Sequence, residues 1–187
     1  MSASLILHPA DPDYAPASVS DLAQMLHEIG LIGTAWGEPA AQRFLIGEHF
    51  LQLVSFMGCA PAIELAPGNM EQPFCHAGIS PITSTPTYLA DSRDVVPRCP
   101  HCRQRIETWP DWIEAWQGDR NFRTGCPACH VNLSPLELDW RHAAGFARVF
   151  ISIFNIYPRE ALPTEALLIK LQQATAQTWN YFYQRQD

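Results

Sequence analysis

A length of 187 residues, 47% hydrophobic and 11% aromatic, fits one domain with an insert, or one medium domain beside a very small one, and excludes a disordered tail. No apolar run approaches the roughly 20 residues of a membrane span, and Met1 to Leu7 lacks the basic region and cleavage site of a secretory signal, so a cytoplasmic location is expected. The net charge of −7 lies in the first half, where nine acids between residues 1 and 92 face the single Arg43, and this argues against a generic polyanion binder.

Ser4-Leu5-Ile6-Leu7-His8, stopped by Pro9, predicts a first strand. Ser18 and Asp21 form a helix start signal, Leu22, Leu26 and Ile29 share one helical face, and Gly30 can close the helix. Arg43 to Gly47 and His49 to Met57 read as two strands, with Ala62 to Leu65 and Phe74 to Ile79 extending the same antiparallel sheet. Three prolines and scattered polar residues from Ser80 to Pro97 predict an irregular segment.

Further on, Arg103 to Thr108 reads as extended, Asp111 to Trp116 as a short helix ended by Gly118, and Phe122 to Thr124 as a strand. Ser134-Pro135-Leu136-Glu137 combines a cap, a proline at the first position and a glutamate at the third, which predicts a short helix ending near Gly145. The β-branched run from Phe146 to Tyr157 predicts one long strand, broken by Pro158. Pro163-Thr164-Glu165 opens a second main helix that turns Leu167, Leu168, Leu171 and Ala174 inward, and Trp179 to Tyr183 adds an edge strand.

The fold class is therefore α+β, an antiparallel sheet with two main helices. Strand, loop and helix recur at 4–29 and 147–175, and two such halves build a split βαβ, ferredoxin-like sandwich. Residues 1–95 and 135–187 are expected to form this domain, with an inserted ribbon at 96–134.

The insert carries the chemistry. Cys99-Pro100-His101-Cys102 and Cys126-Pro127-Ala128-Cys129 are separated by 23 residues, a spacing that lets four thiolates close a tetrahedron around one metal ion. These two pairs, each with proline after the first cysteine, resemble zinc ribbons and rubredoxin-like knuckles over about 40 residues. The resemblance implies structural Zn²⁺, with tetrathiolate iron as the chemical alternative. Arg103 and His130 stand where such knuckles often carry glycine. Cys-Pro-His-Cys also matches the motif of thioredoxin-like disulfide oxidoreductases, but Arg103 to Pro110 leaves no room for the long helix that would activate such a thiol.

Function is expected to be that of a non-catalytic binding or adaptor module. Arg93, Arg98, Arg103, Arg105, Arg120 and Arg123 surround the cysteines, interleaved with Trp109, Trp112, Trp116 and Phe122. Stacking rings and arginines would suit nucleic acid. Asp94, Glu107, Asp111, Glu114 and Asp119 nearly cancel the charge, so a protein partner is favoured, and helical spacing makes the tryptophans a miniature core. The eleven arginines against one lysine fit a GC-rich bacterial genome. His49, Cys59 and His76 are the alternative enzyme site, although Cys59 and Cys75 lie in apolar surroundings that suit buried small hydrophobes.

Overall fold

The structure is a computed structural model that describes residues 2–57, 63–68, 73–91, 95–156 and 160–186. Strand β1 (Ser2–Pro9) buries Ala3, Leu5 and Leu7 on one face and Ile6 on the other, as a central strand covered on both sides must. Helix α1 (Val19–Ile29) begins where the Ser18 hydroxyl accepts the Asp21 N–H at 3.0 Å, and it buries Leu22, Leu26 and Ile29. Gly30 ends it at φ +82°, its N–H donating to the His27 carbonyl while the Leu31 N–H donates to that of Leu26. A side chain at Gly30 would lie 2.5 Å from the His49 ring, so glycine is required there by both φ and space.

Strands β2 (Ile32–Ala35) and β3 (Arg43–Ile46) follow. The strand expected from His49 to Met57 forms only at its end: Phe50–Leu53 is a helical turn, α2, before β4 (Val54–Phe56). Phe50 and Leu53 are buried while Leu51 and Gln52 face out, a spacing of three that fits a helix and not a strand. Residues 63–65 stay outside any strand, though the Cys75 N–H donates to the Glu64 carbonyl, and β5 (His76–Ile79) joins the sheet. Ala62 and the Tyr157-Pro158 break lie outside the described residues.

The segment expected to be irregular contains a strand, β6 (Thr87–Ala90), made by pairing with a distant partner. Next come α3 (Trp109–Gly118), longer than its sequence suggests, and the paired β7 (Thr124–Gly125) and β8 (Asn132–Leu133). Between Ser80 and Arg148 the chain leaves and re-enters the main sheet.

Two expectations fail in this stretch. Ser134 and Glu137 form the capping box, but the helix stops after the 3-10 turn Pro135–Glu137, because Asp139 pairs through its backbone with Arg98 at 2.9 and 3.0 Å. The single strand from Phe146 to Tyr157 is instead two. Strand β9 (Ala144–Ala147) pairs with β6, and the chain then turns a corner, where the Phe150 N–H donates to the Ser80 hydroxyl, into β10 (Ile151–Ile156). Strand β11 (Ala161–Pro163), helix α4 (Glu165–Thr175) capped by Thr164, and β12 (Trp179–Gln186) complete the chain. Helix α4 buries Leu167 and Leu171, half-buries Leu168 and leaves Ala174 exposed.

The fold is α+β. Its main sheet has six strands in the order β12-β1-β10-β5-β3-β2, with antiparallel neighbours throughout. Strands β10 and β12, joined through α4, flank β1 as a split βαβ unit. In the first half the sheet is wider than expected, because β3 and β5 stand between β10 and β2, the strand that follows α1 directly. Helices α1, α2 and α4 close one face of the sheet in a single apolar cluster. On the other face Ile6, Phe150 and Phe182 meet Ala147 of β9.

A separate apolar cluster sits around the cysteine pairs, where Ile106, Trp112, Ile113, Trp116 and Leu133 pack with Trp140 and Phe146. The outward backbone of edge strand β12 is already engaged: the Tyr183 N–H donates to the His142 carbonyl at 3.1 Å, and the Arg185 N–H to the Asp91 carboxylate at 3.1 Å. Among the described residues no helix is long and apolar enough to cross a membrane.

Candidate metal centre

Each cysteine pair closes a small antiparallel turn with the same bonds. In the first, the Arg103 N–H donates to the Cys99 carbonyl at 3.0 Å and the Cys99 N–H to that of Gln104 at 2.9 Å. In the second, the His130 N–H donates to the Cys126 carbonyl and the Cys126 N–H to that of Val131, both at 2.9 Å. The residue after each pair must turn left-handed: Arg103 has φ +64° and His130 φ +59°. These are the positions where the sequence lacks glycine, and two ordinary side chains adopt the backbone that glycine takes most readily. The departure in sequence is thus no departure in geometry.

The two turns bring all four sulfurs within 4.8 Å of one another. Cys99 and Cys129 approach to 3.8 Å, and Cys102 and Cys126 to 3.7 Å, across the pairs. Four tetrahedral thiolates with bonds of about 2.3 Å would be about 3.8 Å apart, so the set has the dimensions of a metal tetrathiolate. Cys99 and Cys126 are buried beneath the tryptophan cluster, and Cys102 and Cys129 face outward. Burial opposes ionisation of Cys126, but the N–H groups of Cys129 and Ala128 point at its sulfur and bring the thiol down to about 7. The four cysteines are the one group of three or more His, Cys, Asp or Glu side chains among the described residues that is compact enough to hold a metal.

No helix opens at Cys99, and α3 starts only at Trp109, so the helix N-terminus that activates a thioredoxin-like thiol is missing from this pair.

The surrounding side chains have local partners. Arg103 pairs with Asp139 at 3.0 Å, Arg105 with Glu107 at 2.9 Å and Arg123 with Glu137 at 2.7 Å, while the Arg120 guanidinium lies 3.9 Å above the Trp116 ring. Arg98 donates to the Arg103 carbonyl. The Ser134 N–H and then Arg123 hold the Glu137 carboxyl below its usual range. Trp112 and Trp116 are buried, as a miniature core requires, and Trp109 and Phe122 are half-buried against it. Arg93 and Asp94 lie outside the described residues.

Asp139 was not singled out by sequence. Its backbone pairs with Arg98, its carboxylate binds Arg103 beside Cys102, and the same carboxylate accepts the Arg141 N–H at 3.1 Å. Only a long-range pairing reveals it.

The alternative enzyme site gains no geometry. His76 is buried on the sheet face opposite α1, stacked on Phe154 at 4.9 Å, its pKa lowered by burial and by Arg43. His49 lies on the loop beside Gly30, 3.5 Å from the exposed Glu48 carboxylate. Cys59 lies outside the described residues, and Cys75 is buried with its thiol pushed up to about 12 by desolvation.

No protein family matches the chain, and neither a curated protein nor a solved structure is significantly similar to it.

Proposed function

We propose that Cys99, Cys102, Cys126 and Cys129 hold one structural Zn²⁺, and that the chain is a non-catalytic binding or adaptor module. The observation that carries this reading is the cluster of four sulfurs, delivered by two equivalent turns at tetrathiolate spacing. Four protein ligands saturate a tetrahedral ion and leave no position for water or substrate, so the metal serves folding and not hydrolysis. In this reading residues 1–95 and 135–187 form the α+β domain, and 96–134 is the inserted ribbon whose small core needs the metal. The same sulfur set accepts iron, and metal analysis distinguishes the two.

The favoured partner is a protein. Arg103, Arg105 and Arg123 are already matched by carboxylates, which leaves little unneutralised charge for phosphates and a surface of alternating sign that suits protein recognition. Elemental analysis and free-thiol counting on the purified chain test the metal reading. One zinc per chain, lost in Cys99→Ser, is the expected result; a stable metal-free protein with a Cys99–Cys102 disulfide would overturn it. Salt-dependent oligonucleotide binding that disappears when Arg103 and Arg105 are neutralised would favour nucleic acid as the partner.

A further inference from the structure

A cleft of about 360 Å³ opens where the ribbon side of the molecule meets the β1–β12 end of the main sheet. Its walls are aromatic, formed in part by Trp140, Phe146, Trp179 and Tyr181. A volume of this size lined by rings suits a small flat ligand.

Two polar groups face the cleft without partners. His8, only 7% exposed, lines it from β1. The Pro9 carbonyl accepts from Nδ1 at 2.9 Å, which leaves Nε2 as an acceptor, and among the described residues nothing donates to it. Burial lowers the pKa of this ring to about 4, so it stays neutral at pH 7. Gly145 makes room for it: a side chain there would lie 2.7 Å from His8 Nε2. The second is Arg141, an exposed residue that lines the cleft and whose guanidinium has no ion-pair partner among the described residues. Asp139, the acid beside it, is already paired with Arg103.

The wall that carries Arg141 is built under strain. Arg141 and His142 are consecutive left-handed residues, at φ +52° and +58°. They are fixed by the Asp139 carboxylate on one side and, on the other, by the His142 ring, which stacks on Tyr181 at 4.5 Å and bonds its carbonyl at 2.8 Å. Strain held in place by specific contacts at a cleft is what a ligand site shows more often than a linker does.

We propose that this cleft binds a small planar carboxylate that carries an O–H or N–H donor. The carboxylate meets Arg141, the donor meets His8 Nε2, and the flat body lies among the rings. An acceptor on the cleft wall that no protein group satisfies favours ligands that carry a donor over analogues lacking it.

The test uses the full chain and three probes: 4-hydroxyphenylacetate, phenylacetate without the hydroxyl, and 2-(4-hydroxyphenyl)ethanol without the carboxylate. Binding is read by tryptophan fluorescence, since Trp140 and Trp179 line the cleft, and by calorimetry. The first probe is expected to bind saturably and each of the others at least about tenfold more weakly. Arg141→Gly relieves the left-handed φ while removing the guanidinium, and should lose about tenfold in affinity for the first probe with no loss of thermal stability. His8→Asn keeps a donor for Pro9 and removes Nε2, and should erase the preference for the hydroxyl. The proposal fails if no probe binds at about 10 mM, where even a millimolar site would be mostly filled, if all three bind alike, or if Arg141→Gly leaves affinity unchanged.

Discussion

The Tyr88 hydroxyl is the one buried side-chain polar atom among the described residues that lacks a hydrogen-bond partner. It is enclosed by the rings of Trp109, Trp140 and Phe146, at centroid distances of 6.0, 5.3 and 5.2 Å, and burial pushes its pKa up. Removing an unsatisfied group relieves its desolvation cost, so Tyr88→Phe should stabilise the fold by about 1 kcal/mol, seen as a higher urea midpoint with an unchanged slope. His8 sets a pH dependence of its own. The unfolded ring binds a proton near 6.5, whereas the native ring holds it off until about 4. Its contribution is complete above pH 6.5 and is lost as pH falls from there to about 4, worth up to about 3 kcal/mol. Urea denaturation at steps between pH 7 and pH 4 should show this loss, with a shallower decline in His8→Asn.

Elements whose ends are written locally were legible in the sequence. Helices α1 and α4 start at Ser18 and Thr164, whose side chains accept N–H groups of the first turn, and α1 stops at a glycine that has to be one. The cysteine cluster was legible for the same reason, since its ligand spacing is local within each pair. Elements decided by distant partners were not. Nothing near Thr87 announces β6, which exists because β9 lies beside it. The capping box at Ser134 promised a helix, and the pairing of Asp139 with Arg98 ended it after one turn. At Phe50 a continuous apolar run reads as a strand covered on both faces, whereas its buried positions, Phe50 and Leu53, are three apart as in a helix. The cleft at His8 assembles side chains from both ends of the chain with no spacing to betray it.

At the scale of the whole molecule, residues 139–142 are one of the links between the cysteine turns and the main sheet, alongside the packing of Trp116 on Phe146 of β9. They bind the first cysteine turn through Asp139 and the last strand through His142. One route from the metal to the sheet would therefore run through Asp139. Chelation of the zinc proposed for the four cysteines should loosen that stretch, while the large apolar cluster under α1 and α4 stays folded. The change would appear as a loss of near-ultraviolet dichroism from Trp112 and Trp116 with most far-ultraviolet signal kept.

The engaged edge of β12 gives this loosening a further outcome. An uncovered edge strand is a template on which a second chain can add and then expose its own. With His142 withdrawn, the part of the edge that it covers would be open to the next molecule. Metal-free protein should then grow in mass with concentration, by light scattering or sedimentation, while the loaded protein does not. The ion would act as a guard against polymerisation, stationed well away from the strand it protects.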